Sequence, residues 1–173
     1  VERRQQEAAL CRQLGGQLRR RRVQRIAAYL AAGSELDLQV LFNQASAQHL
    51  LFPRLRGAGL VFANAEQGLR RTRLGVDEPV SGKAWPAWSL SVMLLPLLAC
   101  DRAGHRLGQG GGFYDRTLAS CRGRRPLLIG VGFEQQLLDE IPHAPHDQAV
   151  DIFLSAGHAL AFSPRGQRWL TGY

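Results

Sequence analysis

The stretch Arg106–Asp115, RLGQGGGFYD, carries the residue types from which an anion site is made. Gly108 and Gly110–Gly112 let the backbone take positive φ and bring its N–H groups close to a ligand. Successive N–H groups in such a loop form a nest for phosphate, and the start of a following helix adds partial positive charge. Arg106 and Arg116 flank the loop and can supply charge-assisted hydrogen bonds. The loop lacks the Gly-Lys-Ser/Thr ending of a Walker A loop. It also lacks the GxGxxG spacing, with an acid about 20 residues on, of a dinucleotide site. A tight connecting turn explains a glycine run equally well. Asp115, just past the glycines, is suited to hold Mg²⁺ against a nucleotide, because that ion takes one or two carboxylates with phosphate oxygens and water. The same acid could instead complement the dipole at a helix start. A second carboxylate would come from Asp147 or Asp151, whereas Asp101 reads as a turn residue. No Ser/His/Asp set stands at convincing spacing, and His105, His143 and His146 read as turn residues.

These residues need a scaffold that presents one loop between a strand and a helix. Apolar spacing of three and four at Ala8, Leu10, Cys11, Leu14 and Leu18 predicts a helix over residues 4–20, against the helix-weakening Gly15 and Gly16. Arg25–Leu30 reads as a buried strand. Leu36 to about Ala47 reads as a helix with Ser34 as its cap and Leu38, Leu41 and Phe42 inward. Leu50–Pro53 and Leu60–Asn64 are short strand candidates, and Gln67–Trp88 reads as surface loops. Leu90–Leu98 is the strongest strand. The glycine loop follows it, then helix-compatible Tyr114–Cys121, a strand at Leu127–Phe133, a short helix at Gln135–Ile141 and a last strand at Val150–Leu154. Alternating strands and helices predict an α/β fold with a mainly parallel sheet. The 173 residues suit a single domain spanning 1–173, whose tail from Ser163 (163–173) is expected to be only partly ordered.

Composition narrows the function classes. The longest apolar run, Ser91–Cys100, is half the roughly 20 residues of a membrane-spanning helix. Three cysteines without zinc-like spacing build no disulfide framework, and no apolar signal segment follows the basic N-terminus. A soluble, cytoplasmic protein is the expectation. The net charge of +8 favours anionic ligands, but it is almost all arginine, and no aromatic residues are interleaved with the Arg19–Arg22 cluster. Nucleic acid is therefore disfavoured, and a nucleotide or polyanionic small molecule uses the charge as well.

Pro96–Leu118, PLLACDRAGHRLGQGGGFYDRTL, resembles the diagnostic stretch of the 5-formyltetrahydrofolate cyclo-ligase (methenyltetrahydrofolate synthetase) family. There a Pro-ending strand and an Asp-containing turn lead into Arg-Leu-Gly-x-Gly-x-Gly-aromatic-Tyr-Asp. Arg106, Leu107, Gly108, Gly110, Gly112, Phe113, Tyr114 and Asp115 match every fixed position, and Gln109 and Gly111 fill the variable ones. Tyr29-Leu30 with Ser34–Asp37, Arg73–Pro79 and Asp147–Asp151 resemble further family segments, so the likeness runs with gaps from about residue 3 to 155.

The resemblance implies a three-layer α/β fold, a mainly parallel sheet flanked by helices, like that of sugar-phosphate isomerases and CoA transferases. It implies ATP- and Mg²⁺-dependent closure of 5-formyltetrahydrofolate to 5,10-methenyltetrahydrofolate, with ADP and phosphate released. Arg106, Leu107, Gly108, Gln109, Gly110, Gly111, Gly112, Phe113 and Tyr114 would cradle the ATP phosphates, with Arg106 and Tyr114 catalytic. Leu30, Glu35 and Gln109–Phe113 would contact the folate, which can carry a polyglutamate tail, and Asp115 and Asp147 would hold the metal. A monomer is expected. The sequence is expected to start just after the basic segment with which the family begins, Arg3 and Arg4 falling too late in register to replace it, and the Gly-Lys pair usual before the Pro-ending strand is Ala47-Gln48. A relative that binds nucleotide or RNA without turnover, and a sugar-phosphate isomerase on the same architecture, are the alternatives.

Overall fold

The computed structural model describes residues 1–44 and 49–172. The first periodic segment is helix α1, Glu2–Arg20, burying Leu10, Cys11, Leu14 and Leu18. Its glycines are a packing device. Helix α2, Gln39–Gln44, approaches so closely that a Cβ on Gly15 would lie 2.9 Å from Gln44 Oε1. Strand β1 is only Ile26–Ala27, although burial continues through Tyr29. The helix expected from Leu36 begins three residues later. Leu36 and Leu38 are both buried, a period of two that suits extended chain. Asp37, not Ser34, caps α2 by accepting from the Gln39 N–H at 2.9 Å. Ala47 and Gln48 lie outside the described residues.

Two hairpins follow. Strands β2 (Leu50–Arg56) and β3 (Gly59–Ala63) pair antiparallel. Strands β4 (Leu69–Arg71) and β5 (Asp77–Pro79) form a second ribbon where sequence suggested only loops. Strand β4 is exposed throughout, which hides the ribbon, and Glu78 anchors it: its buried carboxylate accepts from the Leu55 N–H at 2.9 Å and from Arg70 Nη2 at 2.8 Å. Next come β6 (Val92–Pro96), β7 (Ala99–Asp101), β8 (Arg106–Leu107), α3 (Phe113–Ala119) and β9 (Leu127–Val131).

The short helix expected over Gln135–Ile141 is instead one 3₁₀ turn, Glu134–Gln136, leading into β10, Leu137–Leu138, parallel to β7. Gln136 breaks the helical path: its amide bonds back to the Phe133 N–H and across to the Leu97 carbonyl. Strands β11 (Ile152–Leu154) and β12 (Ala159–Ala161) complete the sheet. The tail is ordered as α4, Pro164–Thr171, capped by the Ser163 hydroxyl and closed by Gly172 at φ 84°. Its Trp169 donates to Gln17 of α1 at 3.0 Å and lies under the Arg21 guanidinium. The Ser-Pro start and the glycine stop were legible, but the polar composition masked them.

The main sheet has seven strands in the order β12-β11-β9-β6-β1-β2-β3. Its five inner strands are parallel and its two edge strands antiparallel, so the sheet is mixed and mostly parallel. Period-two alternation splits the core. Ile26, Val92, Leu94, Ile129 and Ile152 pack under α1 and α2, while Ala27, Met93, Leu95, Leu128 and Phe153 face the opposite way with Leu118 of α3. Among the described residues no helix is long and apolar enough to cross a membrane.

Asp151 secures the far side. It is fully buried and accepts from Arg125 Nη1 at 2.7 Å, the Leu128 N–H at 2.9 Å and the Ser163 hydroxyl at 2.6 Å. Burial pushes its pKa up, but the Arg125 side chain and these donors outweigh it and hold the group below 3.8. A carboxylate with a depressed folded pKa contributes stability that is full above the unfolded value and lost as pH falls through the folded one. Asp151→Asn should therefore destabilise by about 3 kcal/mol near neutral pH, with the difference from wild type vanishing in strong acid. Urea melts at neutral and acid pH check this; a constant difference would contradict it.

Candidate functional site

The chain leaves β1 toward β2 on one side and resumes at β6 on the other, so β1 and β6 flank a switch point where their outgoing loops diverge. In open α/β sheets that divergence makes a crevice at the carboxyl ends of the strands. A cleft of about 890 Å³ lies here, and Leu30, Glu35, the run Arg106–Asp115 and Asp147 all line it. A second hollow, of about 340 Å³ and bordered by Gly15, Leu18 and Ile26, holds none of these residues.

Strand β6 ends at Pro96, and β8 returns the chain antiparallel to β7 so that Arg106 comes back beneath that end. The Arg106 side chain is only 6 % exposed. Its guanidinium is loosely held: Nη1 is 3.3 Å from the Pro96 carbonyl, Nη2 is 3.7 Å from Asp115 Oδ2, and among the described residues Nε has no partner. Buried guanidinium donors are ordinarily satisfied, so this unfilled capacity points to an anionic ligand. Gly110 (φ 92°) and Gly112 (φ 66°) take the left-handed turns that lead into α3. A Cβ on Gly108 would meet Arg106 Nη1 at 2.7 Å, so this glycine makes room for the cation.

Tyr114 borders the same pocket with its ring 5.7 Å from the Arg106 guanidinium carbon. Burial pushes its phenol pKa far up, more than Arg106 lowers it, so the hydroxyl stays neutral and can donate. Arg116, expected to flank the loop as a phosphate contact, has Nε on the Ala58 carbonyl at 2.8 Å and Nη2 on the Gly111 carbonyl at 2.9 Å. It braces the loop against the β2–β3 turn.

On the opposite wall, Glu35 is buried; Oε2 accepts from the Ala32 N–H at 2.9 Å and Oε1 from Gln109 Nε2 at 3.2 Å. The loop after β1 thus touches the glycine loop 74 residues away. Arg3 donates to the Glu35 carbonyl at 2.7 Å and so supports that wall.

The two acids suit a divalent cation. Asp115 Oδ1 accepts from the Gln148 N–H at 2.9 Å, and Asp147 Oδ2 from the Ala144 N–H at 2.8 Å. Among the described residues the second oxygen of each has only a distant neighbour, the Arg106 guanidinium at 3.7 Å and the His146 ring at 3.6 Å. Two carboxylates held by backbone donors, with oxygens to spare beside the glycine loop, are of the type that Mg²⁺ takes. Asp151, the other candidate, is excluded by its burial and its pairing with Arg125. Asp101 sits in a turn as expected, accepting from the Ala103 and His105 N–H groups.

Sequence reasoning missed the apolar wall: Pro53 and Leu55 of β2, Leu60 of β3, and Leu74 and Val76 of the β4–β5 ribbon. The signal was the Leu-x-Val of Arg73–Pro79, an apolar pair in a polar stretch that stays exposed while lining the cleft. The thiols offer no nucleophile: all three are buried, and burial pushes Cys100 up to about 12.

The sequence pattern of the 5-formyltetrahydrofolate cyclo-ligase family matches residues 1–156. The 5-formyltetrahydrofolate cyclo-ligase of Escherichia coli K12 is 33% identical over 126 residues, covering 68% of this chain and 69% of that protein. The protein of that name from Mycolicibacterium smegmatis is 52% identical over 64 residues, 37% of this chain and 32% of its own. The NMR structure of Aquifex aeolicus 5,10-methenyltetrahydrofolate synthetase superposes with a TM-score of 0.80 at 25% identity, covering 93% of this chain and 83% of that one.

Proposed function

The chain belongs to the 5-formyltetrahydrofolate cyclo-ligase family and is an ATP-dependent ligase acting on a folate; from this premise we propose that the cleft at the β1/β6 switch point is where it works. The reaction closes 5-formyltetrahydrofolate to 5,10-methenyltetrahydrofolate. A formamide carbon is a poor electrophile and its oxygen a poor leaving group. Transfer of the γ-phosphoryl of ATP to the formyl oxygen breaks the β–γ P–O bond and releases ADP. The N10 amine then attacks the carbon, loses its proton, and the C–O bond breaks to release phosphate.

The protein's share is positioning and charge. The observation that carries this reading is Arg106, a buried cation with an unfilled N–H beside the glycine loop. It meets the charge that gathers on the transferring phosphoryl group. The loop N–H groups at Gly108–Gly112 hold the phosphates, and the neutral Tyr114 hydroxyl donates to them. What Mg²⁺ supplies when bound is neutralisation of phosphate charge, and Asp115 and Asp147 would hold it. Glu35 accepts from the amino groups of the pterin, and Leu30 packs against the ring. Leu74 and Val76 cover the rest of the folate and exclude water.

The test is absorbance in the methenyl-folate band after mixing protein, 5-formyltetrahydrofolate, ATP and Mg²⁺. A rise that vanishes when ATP is left out is expected; a rise indifferent to ATP, or none, overturns the mechanism. Glu35→Gln should raise the KM for folate about 10–100-fold, the worth of a hydrogen bond to a charged group, and leave the KM for ATP nearly unchanged. The reverse split would move Glu35 to the nucleotide side.

A further inference from the structure

We propose that Asp101, His105 and His143 form a site for a divalent transition-metal ion of the zinc class, separate from the Asp115 and Asp147 pair. Asp101 ends β7, and its side chain is 3 % exposed. Oδ1 is taken by the Ala103 and His105 N–H groups, both at 2.9 Å, and Oδ2 by His105 Nδ1 at 2.9 Å. From a separate segment His143 lays its ring on that of His105, with centroids 3.5 Å apart and planes 9° from parallel. His143 Nδ1 is 3.3 Å from the Ile141 carbonyl. One ligand atom from each of the three residues lies within 4.8 Å of the other two.

The hydrogen bonds choose the tautomers. A carboxylate and a carbonyl only accept, so Nδ1 is the donor on both rings, and in the neutral ring Nε2 keeps its lone pair for a metal. A carboxylate that bonds Nδ1 and orients Nε2 is the arrangement that supports histidine ligands in metalloproteins. Lone pairs on stacked rings run side by side, so one ring must tilt for both to reach one ion. His143 is exposed and held only by one long hydrogen bond and by this stack, so it is the ring that can tilt. Two imidazoles backed by a carboxylate select zinc, cobalt, nickel or copper over magnesium. An ion here would tie the β7–β8 turn, one residue before Arg106, to the segment that continues into Asp147. Two walls of the cleft would then be pinned from behind.

This site does not depend on the cyclo-ligase reading, and its test needs no turnover. The full chain is titrated with Co²⁺ while millimolar Mg²⁺ fills the acidic pair, and the visible d–d bands and a calorimeter report binding. One equivalent should bind with micromolar affinity, and His143→Ala and His105→Ala should each weaken it by at least about tenfold. Asp115→Asn should leave it unchanged. Because His143 is exposed, its variant keeps the fold, which circular dichroism checks. Failure of Co²⁺ to bind, or binding that survives in the double histidine variant, would overturn the proposal.

Discussion

Arg106→Ala lowers the rate of ATP-dependent cyclisation by about 10²–10³-fold while the melting temperature holds or rises. The rate loss is that of removing one preorganised charge donor from the transferring phosphoryl group. The stability outcome comes from how little the free protein gains from this side chain. Its guanidinium is nearly enclosed, its contacts to Pro96 and Asp115 are long, and Nε is unpaired. A buried donor without a partner costs about 1–3 kcal/mol, and alanine removes that cost as it opens a small cavity. Arg106→Lys recovers only part of the rate, because an ammonium cannot present the planar fork. Parallel assays and thermal melts decide the matter. If activity and stability fall together, Arg106 is a structural residue and the phosphate reading loses its main support.

Asp115→Asn costs about 10²–10³-fold in kcat/KM at fixed Mg²⁺, and the concentration of Mg²⁺ needed for half-maximal rate rises. Several kcal/mol of charge stabilisation are at stake at a metal-assisted phosphoryl transfer, and about 1.4 kcal/mol corresponds to each factor of ten. Asparagine is nearly isosteric and keeps the oxygen that accepts from the Gln148 N–H, so the start of α3 remains tied to the loop before β11. What is lost is the charge on the oxygen that faces Arg106 at 3.7 Å. A Mg²⁺ profile that coincides with that of wild type would remove Asp115 from the metal site.

Much of the framework could be read directly. Val92–Pro96 and Leu127–Val131 are apolar at every position, as strands covered on both faces must be, and both lie inside the sheet. Elements held by contacts distant in sequence were harder. In the β4–β5 ribbon β4 is exposed and mostly charged, and the ribbon is anchored by buried Glu78, which reaches the Leu55 N–H across 23 positions. Gln135–Ile141 has a helix-compatible composition, yet Gln136 spends its side chain on the Leu97 carbonyl and turns the chain into a strand. Asp147 and Asp151 looked interchangeable as ligands. The first stays in a loop facing the cleft, while the second is drawn beside Arg125 under the sheet.

The order of residues by itself determined the α/β alternation, a glycine loop leading into a helix, and the acid behind it, but not the β7–β8 hairpin between the buried strand and that loop. Those are short-range properties: side-chain period, turn chemistry and backbone freedom act within a few residues. Only the tertiary structure decided that Glu35 meets Gln109, that Arg106 returns beneath Pro96 with an empty N–H, and which aspartate faces the cleft. Those facts follow from parallel pairing of β1 with β6, which joins segments some 66 residues apart at Ile26 and Val92. Such pairing is fixed by burial of the whole sheet, and no local pattern along the chain specifies it.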